Sequence, residues 1–282
     1  MFKGRAVEPG DDPSPATIKD ATLAHQVLVG CHTGIVSIES SSDLAGMRAV
    51  GRAVGETVRE LRRVVQPGMT TAQLDAQAAA ALRRRGARPV PATLLGFPGS
   101  CCLSVNDEAV HGVPGPRRLR PGDIVKIDVT AELSGYVADA ATTVVLPPAN
   151  RRAASLASCT RSALAAALRS ARSGRPLAGI GGAVEGEVRR CGFHVLRELA
   201  GHGTGRTMWE EPSVPNVGGP AREILTEGLV LAIEPIISAR PDRIVLAADG
   251  WTLRTRGGSL AAHVEHTVVV RSGRPLVVTA AG

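Results

Sequence analysis

The sequence predicts an α+β fold: a curved antiparallel sheet backed by helices, with a pseudo-two-fold relation between its halves. Two long helical periodicities precede strand-rich segments in residues 41–145, and the same order returns in residues 150–270. A β-hairpin can be given a register from sequence, because Ile124–Thr130 and Tyr136–Val145 flank the two-residue turn Ser134-Gly135. Five side chains able to hold a metal, Asp128, Asp139, His202, Glu234 and Glu265, stand in apolar runs or against glycine and are shared between the halves. The site is therefore expected at the junction of the two halves.

Residues 1–36, with Pro9-Gly-Asp-Asp-Pro-Ser-Pro15, are expected to form a flexible extension or to result from an upstream start codon, and residues 37–282 the catalytic domain. Ser41-Ser42-Asp43 offers an N-cap to an apolar-periodic stretch from Leu44 to Val65, which Pro67-Gly68 ends. Thr70-Thr71 caps a second helix from Ala72 to about Arg85, stopped by Gly86. If Leu133 and Tyr136 close the hairpin, Asp139 lies opposite Thr130 and diagonally from Asp128 on the same face. Diagonal partners are roughly 7–8 Å apart, close enough to clamp two ions about 3.5–4 Å apart. A slip of one residue would separate them. Asp128 lies between Ile127 and Val129 in mid-strand, where aspartate is disfavoured unless something holds it. In the second half, Asn150 caps a helix from Arg151 to Arg172, and another runs from Ile180 to Arg190 until Gly192. Pro235 biases Glu234 towards extended backbone, and the glycines around His202 are expected to let the chain approach the ions.

Four carboxylates converging in a low-dielectric site repel, and some must take up protons unless a cation is shared among them. Four oxygen donors and one imidazole suit Mn(II), Fe(II) or Co(II), and zinc less specifically, whereas structural zinc sites use cysteine and histidine. The ligand mix points to catalysis. His263-Val-Glu265 imitates part of a deaminase signature, but no Cys-x-x-Cys follows it. Gly201 to Gly205 lacks phosphate-loop spacing, and neither His-Glu-x-x-His nor a complete nucleophile elbow occurs.

The blocks Asn106-Asp-Glu-Ala-Val-His111-Gly, Gly122-Asp-Ile-Val-Lys-Ile-Asp128-Val, Gly201-His202-Gly-Thr-Gly205-Arg, Ile233-Glu234-Pro235, Asp249-Gly-Trp251-Thr and Glu265-His266-Thr resemble, in order and spacing, those of type I methionine aminopeptidases over roughly residues 38 to 280. The resemblance implies a pita-bread fold and removal of the initiator methionine from nascent proteins by a metal-bound hydroxide. It implies two divalent ions (Mn, Fe(II) or Co), or one, held by Asp128, Asp139, His202, Glu234 and Glu265, with Asp139 and Glu265 bridging. By the same resemblance Glu234 also moves the proton, and His111 lies near the substrate's amino end and orients the peptide. A pocket for the first side chain is implied at Phe97, Cys102, Met208 and Trp251.

This chain departs from the family pattern at Trp209, where a second active-site histidine is usual. Losing one preorganised donor typically costs about 10² to 10³ in turnover, although an indole N–H can donate in its place. Pocket positions that tend to be aromatic in the family read Leu94, Phe97 and Met208 here. These departures keep two alternatives open: a catalytically impaired, peptide-binding paralogue, and a related metallo-hydrolase acting on another small amide or peptide.

The chain has 33 basic and 26 acidic residues, a net +7, with nearly all the basic residues arginine. Such a surface suits approach to the ribosome or RNA, but bias towards Arg, Ala and Gly is the simpler account. No segment interleaves the charge with aromatics, so no specific nucleic-acid site is expected. Five cysteines without metal-ligand spacing, and no apparent secretory leader or membrane span, predict a cytoplasmic protein. A monomer is expected, and the resemblance implies the N-terminal peptide of nascent proteins as its partner. His25, His32 and His194 read as surface or core residues. His266 is expected to be structural, while His263, on the face of Glu265, is placed to support the site.

Overall fold

The computed structural model describes residues 38–220 and 223–280. The expected extension, with His25, His32 and Cys31, lies outside the described residues.

Helix α1 (Ser41–Val64) starts earlier than expected, because its N-cap is Ser40. The Ser40 hydroxyl accepts from the Asp43 N–H at 3.0 Å, and the Asp43 carboxylate accepts from the Ser40 N–H at 3.0 Å, a reciprocal capping box. Asp43 is thus the third helical residue rather than the cap. Its carboxylate also accepts from Tyr136 and from Arg206, both at 2.8 Å, which fastens the helix start to the hairpin turn and to the turn leading to Trp209. Met47, Val50, Val54, Val58 and Leu61 recur at three- to four-residue spacing and are buried. Helix α2 (Thr71–Arg84) has Thr70 as its cap, completed by Gln73.

The first half then forms β1 (Arg88–Pro89), the short α3 (Val90–Leu95), β2 (Cys102–Val105), β3 (Glu108–Val110), β4 (Ile124–Leu133) and β5 (Tyr136–Val145). Strands β4 and β5 pair from Ile124↔Val145 to Leu133↔Tyr136, with Thr130 opposite Asp139 as expected. Ser134 and Gly135 have φ of +54° and +80°, the left-handed values that a tight hairpin turn needs. The other edge of β4 pairs with β1 and β2.

The second half repeats the helix pair as α4 (Arg151–Ser170), capped by Asn150 and ending two residues before Arg172, and α5 (Ala178–Arg190), which begins two residues before Ile180. The strands that follow are β6 (His194–Val195), β7 (Ala200–Gly203), β8 (Glu210–Pro215), β9 (Val230–Ile233), β10 (Ile236–Ser238), β11 (Ile244–Leu246), β12 (Leu253–Thr255), β13 (Ala261–His263), β14 (His266–Val269) and β15 (Leu276–Val277). They form an antiparallel five-stranded sheet, β15-β14-β9-β7-β8, and a three-stranded sheet β13-β10-β6, and with β3 of the first half a further three-stranded sheet β11-β12-β3. The halves join where Ala141 of β5 and Glu265 exchange backbone hydrogen bonds, Glu265 N–H to Ala141 O at 3.0 Å and Ala141 N–H to Glu265 O at 3.4 Å. One apolar core packs α1 and α2 on the hairpin, and a second packs α4 and α5 on the later strands. The architecture is an α+β pita-bread fold, antiparallel sheets backed by a helix pair from each half.

Candidate metal centre

Asp128 and Asp139 enter the site from the hairpin. Register puts Asp128 opposite Ala141 on one side and Cys102 on the other. Asp139 is fixed at both ends: the Thr130 hydroxyl donates to its Oδ2 at 2.8 Å, and its N–H donates to Thr267 Oγ1 at 2.8 Å.

The second half supplies its donors differently. His202 lies in β7, and its Nδ1 is 2.8 Å from the Gly203 carbonyl. A carbonyl only accepts, so Nδ1 carries the proton and Nε2 keeps a lone pair for a cation. Glu234 and Glu265 sit at facing breaks. The chain steps from β9 to β10 at Glu234-Pro235 and from β13 to β14 at Val264-Glu265, while Ile233 pairs with His266 and Ile236 with His263 across the two breaks. Interrupting both partners at one level frees two carboxylates from the alternation of a regular strand.

These side chains meet. Asp139, His202 and Glu265 offer donor atoms that all lie within 4.8 Å of one another. His202 Nε2 is 3.7 Å from Glu234 Oε1. Burial, followed by the charge of Asp139, pushes Asp128, Glu234 and Glu265 well above the usual carboxylate range. Burial pushes His202 down and keeps it neutral, as a ligand must be. Asp128 Oδ1, Asp139 Oδ1 and Glu265 Oε1 are buried without a hydrogen-bond donor. An orphaned buried acceptor costs roughly 1–3 kcal/mol, and more when charged. A divalent cation is a partner that such oxygens lack, and carboxylates with a neutral imidazole fit the hard to borderline first-row ions.

His263 is buried beside this cluster, its Nε2 3.5 Å from Glu234 Oε2 and 3.8 Å from Glu265 Oε2. Burial, then the charges of His111 and Lys126, depress it to about 3, so it faces the carboxylates as a neutral ring. His111 follows β3 with φ +57°. His266 packs away from the cluster, its Nδ1 2.9 Å from Thr279 Oγ1, in line with a structural role. The Trp209 ring meets the His202 ring edge-on, with centroids 6.4 Å apart. Phe97 and Trp251 also meet edge to face, at 5.3 Å. Cys102 is buried against Asp128, Met208 is half-buried next to Trp209, and Leu94 is 64% exposed.

Gly201 and Gly203 flank His202 where neighbouring backbone comes close. A Cβ on Gly201 would lie 2.3 Å from the Ala232 carbonyl, and one on Gly203 would lie 2.3 Å from the Glu211 carbonyl. The Gly201 position also lies 3.3 Å from the Glu234 side chain, so the missing side chains let neighbouring strands pack closely around His202 and beside a candidate donor.

Several supporting residues escaped the sequence reading. Glu210 accepts from the backbone N–H groups of Arg206 and Thr207, both at 2.7 Å, and so shapes the turn that presents Met208 and Trp209. Asp75 of α2 accepts from Ser100 N–H at 2.7 Å and Cys101 N–H at 3.0 Å, holding the approach to Cys102. Buried Lys126 donates to the Asn106 carbonyl at 2.8 Å and secures the loop before β3 and His111. Thr130 alone had a signal, since the register already set its hydroxyl opposite Asp139.

Fold and site together define a metallopeptidase, and the model of metallopeptidase family M24 matches residues 45–272. The chain is 38% identical over 245 residues to methionine aminopeptidase 2 of Bacillus subtilis, an alignment covering 86% of this chain and 98% of the relative. It matches the crystal structure of methionine aminopeptidase from Thermotoga maritima with a TM-score of 0.84 and 34% identity, covering 86% and 99% of the two chains. Prolidase from Pyrococcus furiosus shares the fold at a TM-score of 0.69 and 19% identity, over 87% of this chain and 65% of the other. The chain belongs to metallopeptidase family M24, among its methionine aminopeptidases.

Proposed function

We propose that this protein is a divalent-metal-dependent methionine aminopeptidase acting on peptides with a free N-terminus. The observation that supports it most is the convergence of orphaned carboxylate oxygens and a neutral imidazole at one buried point. Asp128, Asp139, His202, Glu234 and Glu265 would hold two ions, manganese, iron(II) or cobalt suiting the donor set. Bound ions supply Lewis-acid polarisation of the scissile carbonyl and acidify a water.

The chain's own residues do the rest. Glu234, made more basic by burial and set beside His263, accepts a proton at its carboxylate and passes it to the leaving amine. His111 orients the peptide near its amino end. Phe97 and Trp251, with Cys102 and Met208, receive the apolar first side chain, because packed rings exclude water from it. Trp209, whose ring meets His202, would offer its indole N–H to the substrate carbonyl.

Incubation of the manganese-, iron- or cobalt-loaded protein with Met-Gly and Met-Ala peptides, read as released methionine, tests this reading. Release that a chelator abolishes is expected. Release by Trp209→His but not by the native chain would recast the native protein as a peptide binder or as a hydrolase of another substrate; release by neither would overturn the mechanism.

A further inference from the structure

A cleft of about 530 Å³ opens between α1 and α4, with Ala140–Thr142 of β5 and the backbone around Glu265 forming part of its lining. Small-molecule sites typically span roughly 300 to 1,000 Å³. Nothing in the proposed reaction uses this space. Arg59 and Arg62 line it from α1 and Arg161 from α4, with Leu164 and Leu168 as an apolar wall. Arg59 is half-buried, and none of the three guanidinium groups forms an ion pair among the described residues. This is unlike Arg84 and Arg85, which both reach Glu60 on the neighbouring face. Glu265 is the one acidic residue in the lining, and its carboxylate belongs to the metal cluster, 3.8 Å from His263 Nε2.

Three arginines with no anion of their own among the described residues, half-buried Arg59 and exposed Arg62 and Arg161, line this one cleft beside a strip of leucine, a combination of charge and shape that suits an anion with an apolar body. A phosphate monoester carries about −1.5 to −2 at neutral pH, so two linked phosphoryl groups match three guanidiniums. The planar fork of arginine fits phosphate oxygens in pairs. We propose that this cleft binds a soluble pyrophosphate ester with a ring or apolar body, its phosphates on Arg59, Arg62 and Arg161 and its body on Leu164 and Leu168. The proposal does not rest on the peptidase reading.

Isothermal titration of the full chain with ADP, inorganic pyrophosphate and inorganic phosphate tests it. The test compares native protein with Arg59→Glu/Arg161→Glu and with Arg48→Glu/Arg52→Glu, an equal charge change at two exposed α1 positions outside the cleft. The expected result is saturable one-to-one binding of ADP, tighter than of pyrophosphate and tighter again than of phosphate. The cleft pair should weaken it by about tenfold or more, and the control pair should leave it unchanged. If the glutamate pair melts early, Arg59→Gln/Arg161→Gln replaces it with the same expectation. Absence of saturable binding would overturn the proposal. So would equal weakening by both pairs, or a single-stranded RNA that binds both pairs alike and displaces ADP, since each marks diffuse attraction to a basic surface.

Discussion

The two halves of the molecule reach one site by unequal means. The first half presents Asp128 and Asp139 on two ten-residue strands joined by two residues, so a single register fixes both. The second half assembles His202, Glu234 and Glu265 from one short strand and two facing breaks, which meet only after β7, β9 and β14 have paired. The first half is thus a locally determined clamp, and the second depends on long-range closure.

Removing the clamp should give the largest effect. Asp139 lies in the closest three-donor group and is restrained by Thr130 and Thr267. Asp139→Ala is expected to lower bound manganese measured by elemental analysis, and to lower turnover by about 10³-fold or more, since metal-ion stabilisation amounts to several kcal/mol. If its metal content and rate stay near native, the hairpin is not the clamp.

Trp209→His probes the second half. If the indole beside His202 is a poorer donor than an imidazole, turnover on Met-Ala should rise, by up to about 10² to 10³, the usual worth of one preorganised donor. A fall would show that the indole is already the working group.

This asymmetry also sets how much was legible in the sequence. The hairpin was, because period-two alternation and a two-residue turn together specify a register, and Asp128 among β-branched neighbours signalled a demand from elsewhere. Helices α1, α2, α4 and α5 were visible in periodicity and caps, with ends off by a few residues where capping competes locally, as at Ser40 against Ser41-Ser42-Asp43. The matched breaks at Glu234-Pro235 and Val264-Glu265 were not legible. Each looks like ordinary strand punctuation until the partner is known, and the partner is about thirty residues away. Apolar surroundings and resemblance of motifs singled out those donors, but neither showed the breaks that free them. Glu210, Asp75 and Lys126 stayed hidden because each contacts backbone, and backbone proximity leaves no pattern in side-chain chemistry.

Thr130→Val sharpens the comparison at smaller scale. It keeps shape and removes the 2.8 Å hydrogen bond to Asp139. Partners of metal ligands are typically worth about 10- to 100-fold in affinity, so manganese titration should show a loss of that order with little change in melting temperature of the metal-free protein. A loss in melting without a loss in affinity would make Thr130 a packing residue.

Without metal the carboxylates should act on stability in the direction set by their raised values. Asp128, Glu234 and Glu265 have folded values above their unfolded ones. Their contribution is therefore complete below the ordinary carboxylate range, near pH 4, and lost as pH rises through the folded values. The chelated protein should melt at falling temperature as pH climbs from about 4 towards 7.5. Manganese at about a hundred times its dissociation constant should restore roughly 2.7 kcal/mol, or about 5–10 °C, at pH 7.5 and little at pH 4.5. A melting temperature indifferent to pH in chelator would mean that the acids do not share a buried site.

The helix pairs give the smallest effect. In the first half α1 and α2 are tied by charge, with Glu60 meeting Arg84 at 2.5 Å and Arg85 at 3.1 Å, and Glu56 meeting Arg85 at 3.2 Å. In the second half the ion pairs of α5 join Arg189 and Arg197 to Glu185 and Arg190 to Glu187, none reaching α4, and the α4–α5 contact among the described residues is apolar around Leu156, Ala163, Ile180 and Val184. Exposed pairs are worth about 0.2–1 kcal/mol and are screened by salt. Glu60→Ala should therefore cost about 1 kcal/mol or less in low salt, and most of that difference should vanish near 1 M sodium chloride. Ile180→Val removes buried methylene volume instead, at a typical cost of about 0.5–1.5 kcal/mol, and its penalty should persist at any salt concentration. If salt erased both differences equally, charge would be holding the second pair as well, and the contrast between the halves would shrink to the metal site alone.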